Sequence, residues 1–149
     1  MAALVFLMGT TAVQAETGHR PEVIRRVIDE GRAACREAGG SQLVVGQDAI
    51  RSVDLNGDRR EDVVVDFRDI RCAERLNAFC GTAGCDLVIL LAQPDGRFGT
   101  VFQDRVWSYT FEPKTQRIRF AVHGSYCGKA GMENCMILRR IGTTPIRLP

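Results

Sequence analysis

Apolar residues recur every three or four positions early in the chain and every second position later. That change of period predicts one helix followed by a run of strands. Val23, Ile24, Val27, Ile28, Gly31, Ala34, Cys35 and Ala38 share one face of a helix expected over Pro21–Ala38. Pro21 suits the first turn, where a missing N–H is no loss, and Gly39-Gly40 ends the helix. From Leu43 onward the pattern is strand-like. Strands are expected at Ala49–Val53 and Asp62–Phe67, on either side of an Asn-Gly turn, then at Asp86–Ala92 and Phe98–Asp104. Val106–Glu112, Arg117–His123 and Met136–Ile141 complete the set. Between Arg117 and Val122 the alternation sends Ile118, Phe120 and Val122 inward and the arginines outward. Short turns link most of these strands, which favours antiparallel hairpins over crossover helices. The expected fold is α+β: an N-terminal amphipathic helix packed on an antiparallel meander β-sheet, with no repeat or linker.

The chain before the helix reads differently. Ala2–Met8 is a short apolar segment, and Val13-Gln14-Ala15 gives a small-x-small cleavage signal before Glu16. Residues 1–15 are therefore expected to be a signal peptide, leaving 16–149 as a single globular domain. The segment falls short of the roughly 20 apolar residues that span a bilayer. No Lys or Arg precedes it, so the basic start of an export signal is expected upstream of Met1; the competing reading is an apolar N-terminal core element.

Cysteine usage points to the same compartment. Six cysteines, an even number, lie outside the apolar segment, as in an exported disulfide framework. Six allow fifteen pairings in principle. Local spacing suggests Cys80–Cys85 across Gly81-Thr82-Ala83-Gly84 and Cys127–Cys135 across a Gly-rich loop, leaving Cys35 for Cys72. Zinc held by the two local pairs is the alternative, but their spacing is wider than a two-residue zinc knuckle. A composition of 45% hydrophobic and 26% charged residues is that of an ordered domain. The formal charge of +2, with bases interspersed among acids, gives no reason to expect nucleic acid or an anionic membrane.

The most specific local motif is Asp54-Leu55-Asn56-Gly57-Asp58-Arg59-Arg60-Glu61-Asp62. Side-chain oxygens at positions one, three, five and nine of a tight turn converge, and the Arg60 carbonyl could add another, which suits a hard cation such as Ca²⁺. It is not an EF-hand, because Val65 stands where a bidentate Glu would close the site. With Ile50–Val53 before it and Val63-Val64-Val65 after it, the stretch resembles the calcium loops of FG-GAP β-propeller blades of integrin type. The resemblance implies a hairpin loop holding structural calcium, not a propeller, since further copies are absent. Two departures stand out. Arg59 occupies a position that is normally Gly, and Arg59 and Arg60 set two cations beside the ion. The simpler reading is an Asn-Gly turn whose aspartates cap backbone N–H groups. More broadly, Asp54–Asp58, Phe79–Cys85 and Gly124-Ser125-Tyr126-Cys127-Gly128 resemble segments of small exported proteins of alphaproteobacteria, which implies an exported fold but no activity.

Candidates for chemistry are sparse. Asp66 and Asp69 could act as acid and base, yet Arg68 and Arg71 beside them suit surface ion pairs. His123 is expected on the outward face with Arg117 and Arg119, and Ser125 near it lacks a nucleophile elbow. Trp107, Tyr109 and Phe111 share a strand face, either as an exposed stacking row for sugars or a partner, or as core under the helix. The sequence therefore leads to a non-enzymatic, disulfide-stabilised binding module, periplasmic or secreted, taking a protein or cell-wall ligand. A weak structural Ca²⁺ loop is expected on it. A small hydrolase using Asp66, Asp69 and His123 is the alternative.

Overall fold

A computed structural model describes residues 19–149, and the expected signal peptide at 1–15 lies outside the described residues. Among the described residues one α-helix, α1, runs from His19 to Glu37. Ten strands follow: β1 Leu43–Val45, β2 Ile50–Val53, β3 Asp62–Asp66, β4 Ile70–Cys72, β5 Cys80–Gly81, β6 Gly84–Ala92, β7 Phe98–Val106, β8 Ser108–Glu112, β9 Arg117–Val122 and β10 Cys135–Arg140. The architecture is α+β, and all strand pairs are antiparallel.

Helix α1 buries Val27, Ile28, Gly31 and Cys35 and leaves its arginines outward. It ends as the Gly-Gly pair requires. Gly39 takes a left-handed φ of 84°, its N–H reaches the Arg36 carbonyl at 2.9 Å, and Gly40 N–H reaches the Cys35 carbonyl at 2.9 Å. That pair of bonds satisfies carbonyls the helix would otherwise orphan. Gly40 is also dictated by space, because a Cβ there would collide with the Sγ of Cys72.

The strands form three sheets instead of one meander. In the central sheet β2 pairs with β3, β3 with β6, and β6 with β7, while β5 lies beside the start of β6. β8, β9 and β10 form a second sheet, with β9 in the middle, and β1 and β4 make a small third pair. Alternation along the central strands builds two cores. Val63, Val65, Val88 and Leu90 join Val27 and Ile28 of the helix in one apolar cluster. Val64, Leu87, Ile89 and Phe102 join Ile118, Phe120, Val122 and Ile137 in the other. The central sheet is thus apolar on both faces, which is why Val63-Val64-Val65 and Leu87–Leu91 are unbroken apolar runs instead of alternating ones. Each of these side chains contributes about 2 kcal/mol by leaving water. Across the second core Phe102 and Phe120 stack with ring centroids 4.4 Å apart.

Three disulfides fasten the fold: Cys35–Cys72, Cys80–Cys85 and Cys127–Cys135, with no free cysteine. The first ties the helix to β4, the second crosses directly between paired residues of β5 and β6, and the third closes the loop before β10. No described helix is long and apolar enough to cross a membrane.

Candidate functional site

The Asp54–Asp62 loop joins β2 to β3 as a hairpin and is closed by its own aspartates. Asp54 accepts backbone N–H bonds from Gly57 at 2.7 Å, Asp58 at 3.2 Å and Arg59 at 2.9 Å. Burial raises the Asp54 carboxyl, but these bonds together with one from Asn56 outweigh it and hold the group below its ordinary range. Asp62 is fully buried and turns one oxygen to Leu55 N–H and the other to Ala92 N–H, each at 2.9 Å. It therefore ties the loop to the end of β6. Burial pushes its pKa up, with the charges of Asp58 and Asp54 adding to the rise, against the two N–H bonds. Arg59 sits at φ 66°, the left-handed conformation in which this position normally carries Gly.

The donor set suits Ca²⁺ in chemistry, since Asp54, Asn56 and Asp58 place carboxylate and amide oxygens around one short turn. It is not assembled as a cation cage. Arg60 donates to Asp58 Oδ2 at 2.6 Å, Asn56 donates to the same oxygen at 3.0 Å, and both Asp62 oxygens accept from backbone. Among the described residues no three His, Cys, Asp or Glu side chains are grouped to hold a metal. An ion entering this loop must displace the Arg60 guanidinium.

The residues considered for hydrolysis have separate partners. Asp66, nearly buried, accepts from Arg68 at 2.6 Å and from the Tyr109 hydroxyl at 2.9 Å, with Arg51 at 3.7 Å. Arg51 and Arg68, both exposed, lie 5.4 and 5.1 Å from the centroid of the Tyr109 ring, so ion pairs to the buried Asp66 and two cation–π contacts join the central sheet to β8. Asp69 accepts the Asp48 backbone N–H at 2.9 Å. His123 Nδ1 lies 2.7 Å from Ser125 Oγ and caps the short Gly124–Cys127 turn, while its ring meets Trp107 edge-on at 6.0 Å. The expected surface pairing holds for Asp66 and Arg68 only in part, because Asp66 is buried beneath its arginine.

Trp107, Tyr109 and Phe111 are half-buried. Tyr109 and Phe111 pack against the core between the two larger sheets, so the row lies on the side away from the helix, not under it. Trp107 stands just before β8 and donates Nε1–H to the Thr82 carbonyl at 2.8 Å.

One site has no counterpart in the sequence motifs. Between α1 and the β6–β7 strands opens a cleft of about 380 Å³, within the range of small-ligand sites. Its apolar lining comes from Val27, Gly31, Phe67, Phe79 and Val88, and Ala34 forms part of the helix wall. Gly31 and Ala34 keep that wall low; a Cβ on Gly31 would stand 3.1 Å from the Phe67 ring. Polar groups line the rest: Glu30, Asp86, Asp104, Gln103 and Arg105. Arg105 Nε is bound to Asp86 Oδ1 at 2.8 Å. The Asp104 carboxylate, in register with Leu87, turns to the opposite face of the sheet and accepts from the Tyr126 hydroxyl at 3.2 Å. Glu30 is thus the carboxylate of the cleft that no guanidinium among the described residues neutralises. These positions run from 27 to 105 along the chain, and only the two small residues on an otherwise amphipathic helix hint at the cleft. No family profile, curated protein or solved structure matches this chain.

Proposed function

We propose that this chain is a non-enzymatic, disulfide-stapled binding module of the periplasm or another oxidising extracytoplasmic space, and that its ligand site is the cleft beside α1. The carrying observation is the composition of that cleft: an apolar interior with the unpaired Glu30 carboxylate at its edge. Such a site takes a small apolar body bearing a cationic group, as an amine-bearing cell-wall fragment would offer. Glu30, which has no ion-pair partner among the described residues, is the group that receives the cation. Binding is favoured over hydrolysis because Asp66, Asp69 and His123 are each committed to a different set of partners.

Saturation-transfer NMR with 2-phenylethylamine and phenylacetate as probes tests the proposal. The amine receives transfer from the protein and the carboxylate does not. Ala34→Leu, an exposed helical position, fills the opening and abolishes the signal, and Glu30→Gln weakens it. Equal transfer to both probes, or transfer untouched by Ala34→Leu, removes the cleft as the site.

The Asp54–Asp62 loop serves this module as a structural clasp with weak affinity for Ca²⁺. Competition between the ion and Arg60 for Asp58 supports an affinity in the millimolar range of extracellular modules. Calcium at such concentrations then raises the melting temperature of the wild type, and raises that of Arg60→Ala further. No heat of binding and no shift in either protein leaves the loop a turn held by its own hydrogen bonds.

A further inference from the structure

The outer face of the β8–β10 sheet breaks the rule that a solvated sheet face is polar. Strand register fixes its grid: Met136, Leu138 and Arg140 on β10 stand opposite Ala121, Arg119 and Arg117 on β9. Ser108, Thr110 and Glu112 of β8 complete it. Met136 is 55% exposed and Leu138 39%, although Ile137 between them already fills the core. Two large apolar side chains two residues apart on an edge strand form a contiguous exposed patch. Their neighbours are cationic. Arg117 and Arg140 are directly opposed, an arrangement that destabilises a sheet. Glu112, the one carboxylate of the grid, is bound to Arg119 at 2.6 Å, leaving Arg117 and Arg140 without an ion-pair partner among the described residues. The surrounding chain deepens the bias, since residues from Lys114 to the end carry seven Lys and Arg against the single acid Glu133.

We propose that this face docks an acidic protein surface, with Met136 and Leu138 as the apolar centre and Arg117, Arg119 and Arg140 as the charged border. Two features select that occupant. Isolated carboxylates placed between Arg117 and Arg140 relieve their repulsion, and the exposed Met and Leu supply the apolar contact that an ion pair in water lacks. A second copy of the chain fits poorly, because a two-fold contact sets the same arginines against each other. The face belongs to the sheet that lies across the central sheet from the helix, so the proposal does not depend on the cleft.

The test uses the full oxidised chain and two fluorescent peptides of about ten residues, one alternating Glu and Val, the other Lys and Val. Vesicles of phosphatidylglycerol and phosphatidylcholine in equal parts form the third arm. The Glu-Val peptide binds, and its affinity falls about tenfold as salt rises from about 0.05 to about 0.5 M. Arg117→Ala with Arg140→Ala weakens it by a similar factor, and Met136→Ser with Leu138→Ser does so while removing no charge. All four substitutions lie on a solvated face, and a cooperative melt no lower than that of the wild type confirms that each variant is folded. Equal binding of both peptides, absence of Glu-Val binding, or binding untouched by either pair of substitutions overturns the proposal. Vesicle binding without peptide binding replaces the protein partner with a membrane. Self-association of Arg140→Glu with peptide binding unchanged shows that the arginines only keep copies apart.

Discussion

Two residues show how far local chemistry reaches. The resemblance of the Asp54–Asp62 loop requires a left-handed backbone after Asp58, and Arg59 adopts it at φ 66° despite its Cβ. Replacing Arg59 with Gly removes that strain and stabilises the domain by about 1 kcal/mol, read from the midpoint of urea unfolding. This conformation was anticipated only through that resemblance, in which the position after Asp58 is normally Gly. The destination of Asp62 was not. Its carboxylate bonds Ala92, thirty positions away, and no local pattern reports that. Glu112 provides a second test. The Arg119 side chain, then Thr115, hold its carboxyl below the usual carboxylate range. A depressed folded-state pKa means that this interaction stabilises above the unfolded value near 4.5 and is lost as pH falls through the folded value. NMR titration is expected to find a Glu112 midpoint below 4.5 that moves upward in Arg119→Ala.

The strands anticipated from the sequence are the longer ones, read from alternation in β9 and from unbroken apolar runs in β3 and β6. β4 with three residues and β5 with two are too short to show either; the Cys80–Cys85 bridge joins β5 directly to its partner β6, while Cys35–Cys72 ties β4 to the helix. The helix was legible because its apolar face and its Gly-Gly stop agree, and the C-terminal hydrogen bonds explain why. The aromatic row was placed against the wrong layer, since alternation tells which residues share a face but not what covers it. The disulfides rank by the loops they close. Cys35–Cys72 spans 37 residues and Cys80–Cys85 spans five, so chain-entropy reasoning assigns about 4 and about 2 kcal/mol respectively. Serine pairs at these positions are expected to lower stability in that order under denaturant. Equal losses from the two pairs would instead place the stabilisation in the folded state.

Three layers, helix on central sheet on outer sheet, give the molecule two surfaces with opposite electrostatics. The unpaired Glu30 carboxylate edges the cleft between α1 and the β6–β7 strands, while arginines dominate the outer face of β8–β10. Over the whole chain the charges nearly cancel at +2, so neither surface appears in the net figure. Contrary to the expectation from sequence, the bases are not interspersed among acids throughout: they are in excess after Lys114, and strand register gathers several of them onto one face. The cleft was illegible for a different reason: it exists only where the helix wall meets strands far along the chain. Disulfides that hold α1 to β4 and β5 to β6 fix the elements flanking it, so the proposed binding site depends on them. The most direct test is residue-resolved chemical-shift mapping of the oxidised domain titrated with 2-phenylethylamine. Saturable shifts at Val27, Gly31 and Val88, with Asp66, His123 and Met136 unmoved, are the predicted result. Shifts that gather around Asp66 or His123, or that never saturate at the cleft, would contradict the account.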